Sequence, residues 1–171
     1  MNFLSVLNRS TQQLPPIQGP INATRLFKGL EPLGLAQTFF DKNDLQRLRD
    51  PKQLPNDVCI NGSGSVIHSN LLSDYQTRPA ALKCAIFSTY AMRYIQDHRS
   101  NEDIWRNTKS NLYWQRKVWA IPIHLLDMQH WVVCIVYIEE GRIFFFDSFA
   151  QQTTLRSILP VSSFFDVIMQ L

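Results

Sequence analysis

The clearest pattern in the chain lies between residues 117 and 147, where apolar runs are cut by short polar breaks. Residues 117–123 (KVWAIPI), 131–138 and 142–146 each read as a strand, the last two joined by a turn at Glu139 and Glu140. The two later runs are apolar on nearly every position, which predicts central strands covered by helices on both faces. Residues 80–96 follow Pro79 with helical spacing and place Leu82, Ile86, Phe87, Tyr90 and Ile95 on one side, predicting a single helix. A shorter helix is predicted over residues 41–49, with Asp44 to cap its start and Pro51 just beyond its end. Residues 58–75 allow two readings. Their apolar positions recur at helical spacing, yet Gly62 and Gly64 would each cost roughly 1 kcal/mol inside a helix. A last helix is predicted after Pro160, with Ser162 or Ser163 as its cap.

Helices, then a hairpin-rich sheet, then a helix make an α+β domain. Residues 1–38, rich in Gln, Pro, Asn and Gly, read as an arm with one helical turn near Leu26 to Leu30, and residues 39–171 as the folded domain. A chain of 171 residues with 45% hydrophobic positions can bury a core of its own. The net charge of +3 forms no basic stripe, so nucleic acid is not an expected partner. No apolar run reaches the ~20 residues that span a bilayer, and the N-terminal apolar stretch is too short for a secretory signal, so no membrane partner is expected either. Cys59, Cys84 and Cys134 are odd in number, widely spaced and in apolar surroundings. They suggest reduced thiols in a nuclear or cytoplasmic protein, with no metal site, no cofactor and no disulfide framework. Without an export signal, the three Asn-x-Ser/Thr sequons at Asn8, Asn22 and Asn61 are chance matches.

Candidate chemistry sits at the ends of the hairpin, in the stretch MQHWVVCIVYIEEGRIFFFDSFA. Side chains alternate along a strand, so His130, Val132, Cys134 and Val136 share one face and Trp131 takes the other. A two-residue turn at Glu139-Glu140 would set Asp147 opposite Val132, on the face of His130 and diagonal to it, roughly 7–8 Å away between backbones, whereas an odd-length turn or a bulge would break this alignment. An imidazole can take a proton from a nucleophile near neutral pH, and a carboxylate on its other nitrogen fixes its tautomer. A His opening a strand and an Asp closing one are also common as surface or capping residues, and spacing alone leaves both readings open.

Residues 117–150 resemble the core signature of the ubiquitin-like-protein proteases, the SUMO-processing cysteine proteases related to adenovirus protease. The matching residues are Ile121, Pro122, Ile123, His124, His130, Trp131, Phe146, Asp147 and Ser148. A second block, DLQRLRDPKQLPNDVCIN, aligns Asn56, Asp57, Ile60 and Asn61 with the family's Trp-Leu-Asn-Asp-x-x-Ile-Asn, and FSTYAMRYI is similar to the aromatic helix that follows. The resemblance implies a papain-like cysteine protease fold, a mixed and largely antiparallel sheet flanked by helices. It implies His130 as general base and Asp147 as its orienting partner. Trp131 would be a wall of the tunnel holding a Gly-Gly tail, or plain core; Asn56 and Asp57 would lie on the substrate side. The implied partner is a ubiquitin-like, SUMO-type protein or its conjugates. His124 reads as a strand-end residue.

The chain departs from the family pattern twice. Leu54 and Pro55 stand where Trp-Leu is expected. The family's Gln-x-x-x-Asp-Cys-Gly stretch, with the nucleophile at a helix start, is not found in the 24 residues after Asp147. Cys134 lies four residues along the strand from His130, about 13 Å away and outside the ~3 Å that a thiol and its base require. Cys84 is expected on the core helix and Cys59 near the substrate-side loop, neither at a helix start. The domain is therefore expected to be C-terminally incomplete, with the parent activity being cleavage after Gly-Gly. The alternative is a pseudoprotease that binds a ubiquitin-like protein without cutting it. Oligomeric state is not legible in the sequence.

Overall fold

The computed structural model describes residues 21–22, 39–148, 165 and 167–169. Most of the expected arm over residues 1–38, and the expected caps Ser162 and Ser163, lie outside the described residues. Ile21–Asn22 (β1) pairs antiparallel with Phe39–Phe40 (β2), and the chain then enters helix α1, Lys42–Arg49. The cap of α1 is Asp41 rather than Asp44. Asp44 stands three residues on and completes a capping box, in which each carboxylate accepts the other residue's backbone N–H, at 2.8 and 3.0 Å.

The ambiguous stretch is one helix, α2, Asp57–Ser73, capped by Asn56. Gly62 is tolerated in its interior because the position has no room for a side chain. A Cβ built there would lie 2.1 Å from Cζ of the buried Phe40 ring. The penalty of a helical glycine is offset by the close approach of β2 that it permits.

Residues 80–96 are not one helix. The chain makes a short turn of helix at Arg78–Ala81 (α3), then strand β3 at Cys84–Ile86, then helix α4 at Thr89–Gln96. Strand pairing overrides local propensity here. β3 runs parallel to β4 (Val118–Leu125), with Cys84 opposite Val118 and Ile86 opposite Ala120, and Ser88 caps α4. Of the five residues expected on one helical face, Phe87 and Ile95 are buried while Leu82 and Tyr90 are exposed. Helix α5 follows at Asn101–Thr108.

Strands β4, β5 (His130–Tyr137) and β6 (Arg142–Phe146) continue antiparallel, giving the four-stranded order β3-β4-β5-β6. The fold is thus α+β with a mixed, largely antiparallel sheet. Covering on both faces is not what the described residues show. His130, Val132, Cys134 and Val136 are buried with Met92, Ile95 and Ile104 of α4 and α5, whereas Trp131, Val133, Ile135 and Tyr137 are only half-buried. The reason is topological: α4 and α5 lie on one face, and antiparallel sheets tolerate a wetter second face. Phe144 and Phe146 continue that second face onto β6, 49% and 69% exposed.

Candidate active site

Two turns place the candidate pair. Leu125 pairs with His130, so four residues, 126–129, connect β4 to β5, the last of them Gln129 in the left-handed region at φ 47°. This tight return puts His130 at the first position of β5 with its side chain on the core face, 6% exposed. At the other end Tyr137 pairs with Arg142 across residues 138–141, an even-length connection in which Gly141 takes φ 59°. The ladder then runs to Val133 opposite Phe146. One residue beyond the ladder, Asp147 follows on the face of His130, the side on which an even-length connection puts it.

The side chains close the remaining gap. Asp147 Oδ1 lies 2.6 Å from His130 Nε2, with both side chains largely shielded from water. A carboxylate on Nε2 leaves proton exchange with a nucleophile to Nδ1.

Trp131 points the opposite way. Its ring stacks on His124 at 4.4 Å and 16°, and its indole N–H donates to the carbonyl of Pro55 at 2.8 Å. Trp131 therefore ties the half-open face of the sheet to the segment that precedes α2. His124 is the last but one residue of β4, at the strand end where the sequence places it. Asn56 is committed within the fold. Its Oδ1 accepts from Cys59 N–H at 2.9 Å while its Nδ2 donates to Asp44 Oδ1 at 2.7 Å. Asp57 opens α2, half-buried, beside that cap.

One pairing had no sequence signal. Asn61, buried on α2, donates to Thr89 Oγ1 at 3.0 Å and accepts from Thr89 N–H at 2.9 Å, clamping α2 to the first turn of α4. Only contact across 28 residues could have revealed it.

The cysteines are placed apart from the pair. Cys134 is fully buried four residues along β5 from His130, and burial pushes its thiol up to about 12. Cys84 is on β3, not on a helix, its thiol raised by burial to about 11. Cys59 does stand in the first turn of a helix, contrary to expectation, but it is fully buried there. Its thiol is raised, first by burial, against the backbone hydrogen bond to Asn56 that lowers it. Among the described residues no group of three or more His, Cys, Asp or Glu side chains could hold a metal, and no helix is long and apolar enough to cross a membrane.

The model of the Ulp1 protease family, C-terminal catalytic domain, matches residues 60–171. The chain belongs to the Ulp1 protease family. Its fold is also that of a solved structure, the catalytic domain of a Ulp1-like SUMO protease from Chaetomium thermophilum, at a TM-score of 0.53 and 18% identity. The similarity covers 83% of this chain and 60% of that one, so this Ulp1-family chain spans about three-fifths of the solved domain. No curated protein matches the sequence significantly.

Proposed function

We propose that this Ulp1-family domain carries the base and orienting half of a thiol protease centre for peptide or isopeptide bonds that follow the Gly-Gly tail of a SUMO-type modifier. The observation that carries the reading is the 2.6 Å contact between shielded His130 Nε2 and Asp147 Oδ1 at adjacent strand ends. In that role Asp147 holds the imidazole with its proton on Nε2 and supports the charged ring, while Nδ1 takes the proton of an attacking thiol. The thiolate adds to the carbonyl carbon, the C–N bond breaks, and His130 returns the proton to the leaving amine. Water then releases the thioester. Trp131 and the Asn56–Asp57 corner, joined through the Pro55 carbonyl, would flank the incoming tail.

None of the chain's own thiols suits the attack. Two are fully buried, the third sits on β3, and burial raises all three. The same observation favours a second reading, in which the domain grips a ubiquitin-like protein without cutting it.

Two assays on the 171-residue chain test this. Incubation with a SUMO-type precursor is expected to give no cleavage. Turnover abolished by Cys59→Ser, Cys84→Ser or Cys134→Ser would refute the assignment of the thiols. Titration with the mature modifier, followed by backbone NMR, is expected to shift signals at Trp131 and at residues 54–57, and Trp131→Ala should weaken binding. Absence of binding to both SUMO-type and ubiquitin proteins would remove the recognition reading.

A further inference from the structure

At the end of the sheet remote from His130 the fold encloses an open cavity of about 390 Å³. Trp119 enters it from the start of β4 and Ile138 from just past the end of β5, so the eight-residue span of β5, roughly 25 Å, separates it from the His130–Asp147 pair. Its other walls include Trp105, Tyr113, Trp114 and Arg116. The volume is in the range of small-molecule sites.

The rings hold one another in place. Trp105 and Trp114 stack at 5.0 Å and 29°, and Tyr113 meets Trp114 and Trp119 edge-on at 5.2 and 5.4 Å. Two of their polar tips are used inside the protein. Trp119 N–H donates to the Tyr113 carbonyl at 3.0 Å, and the Tyr113 hydroxyl donates to the Ile168 carbonyl at 3.4 Å. Trp119 is 2% exposed with Phe165 stacked on it at 6.3 Å and 15°, and Tyr113 is 4% exposed, so the π surface open to a ligand is that of Trp105 and Trp114. Trp114, 48% exposed, forms the outer lip.

Arg116 is the charged group in this wall. It is half-buried and makes no ion pair among the described residues. Its Nη1 donates to the Leu82 carbonyl, and its buried Nε has no acceptor. A partly desolvated guanidinium with no counter-ion among the described residues is costly, and a bound anion would relieve it. The same charge argues against a quaternary ammonium ligand, which a cage of rings alone would favour.

We propose that this cavity is a binding site for a planar aromatic anion, its ring lying against Trp105 and Trp114 and its carboxylate on Arg116. The site stands apart from the protease reading and does not depend on it.

The test is a calorimetric titration with 1-naphthoate and its neutral isostere 1-naphthamide, with quenching of tryptophan fluorescence as a second readout. One saturable site is expected, taking the acid roughly 10-fold tighter than the amide. Arg116→Met should abolish that preference, Arg116→Lys should keep part of it, and Trp114→Ala should weaken both ligands. If Arg116→Met does not fold, the exposed Trp114→Ala decides, and unchanged affinity there overturns the site. No saturable binding, equal affinity for acid and amide in the unaltered chain, or a preference that survives Arg116→Met would each overturn it. A second arm compares a tripeptide ending in tryptophan as free acid and as amide. Arg116-dependent binding of the acid assigns the ligand to protein C-termini, and naphthoate binding without it assigns the site to free aryl acids.

Discussion

Gly62→Ala tests how α2 is seated. In an isolated helix the change stabilises by about 1 kcal/mol, because alanine loses less backbone entropy. Here the new Cβ would lie 2.1 Å from Phe40 Cζ and 2.8 and 2.9 Å from its two Cε atoms. Carbon atoms rest at about 3.5–4.0 Å, so the ring must retreat by roughly 1.4 Å or more. Phe40 is 3% exposed and has little space in which to retreat. Overpacking of a filled core costs about 1–3 kcal/mol, and an overlap this deep belongs at the upper end. Subtracting the propensity gain leaves a net loss of about 2 kcal/mol, or a fall in Tm of about 4–8 °C for a domain of this size. Urea and thermal unfolding measure it. The double variant Phe40→Leu/Gly62→Ala should lose at least about 1 kcal/mol less than the sum of its parts, since leucine vacates the contested volume. A Gly62→Ala protein as stable as the parent, or additive behaviour in the double variant, would refute the packing.

Asn61→Ala should cost about 2–3 kcal/mol, because it strands both the N–H and the hydroxyl of Thr89 in the core, and urea unfolding will show it. His68 is buried, its Nε2–H donates to the Ala81 carbonyl, and desolvation lowers its pKa below the ordinary value. A lowered folded pKa means that the unfolded chain binds the extra proton first, so stability from this group is full above about pH 6.5 and falls as the pH drops below it. The gap in urea midpoint between the parent and His68→Gln should therefore narrow from pH 7.5 to pH 5.5, and a constant gap would contradict it. Alkylation by iodoacetamide at pH 7.5 should run about 100-fold slower in the folded chain than in urea, since raised, buried thiols hold little thiolate. Trp131→Phe keeps the stack on His124 but loses the bond to Pro55; about 1 kcal/mol of stability should go with it, with faster amide exchange over residues 54–57.

The candidate site was legible in the sequence because it rests on local rules. Alternation along a strand puts His130 and Asp147 at the ends of one hairpin, and any even-length connection puts them on one face, without a long-range contact. The resemblance in residues 117–150 pointed to the same pair. The chain's secondary structure was less legible wherever pairing outweighed propensity. Residues 84–86 have a helical pattern, but the edge of β4 offers them a parallel ladder, and they form a strand. Gly62 looked like a helix breaker, yet it is the point at which the Phe40 ring occupies the space a side chain would need.

Periodicity therefore determined which residues form the hairpin and which face carries His130, while the four-residue connection seen in the structure fixed the register that brings Asp147 to that face. Only the tertiary structure decided that the sheet is covered by helices on one face among the described residues. The same holds for the bond from Trp131 to Pro55, the clamp of Asn61 on Thr89, and Arg116 standing by four aromatic rings with no ion pair among the described residues. The bond of Trp131 to Pro55 and the clamp of Asn61 on Thr89 join groups 76 and 28 residues apart. Such contacts are set by how whole elements pack, and no local pattern of residues encodes them.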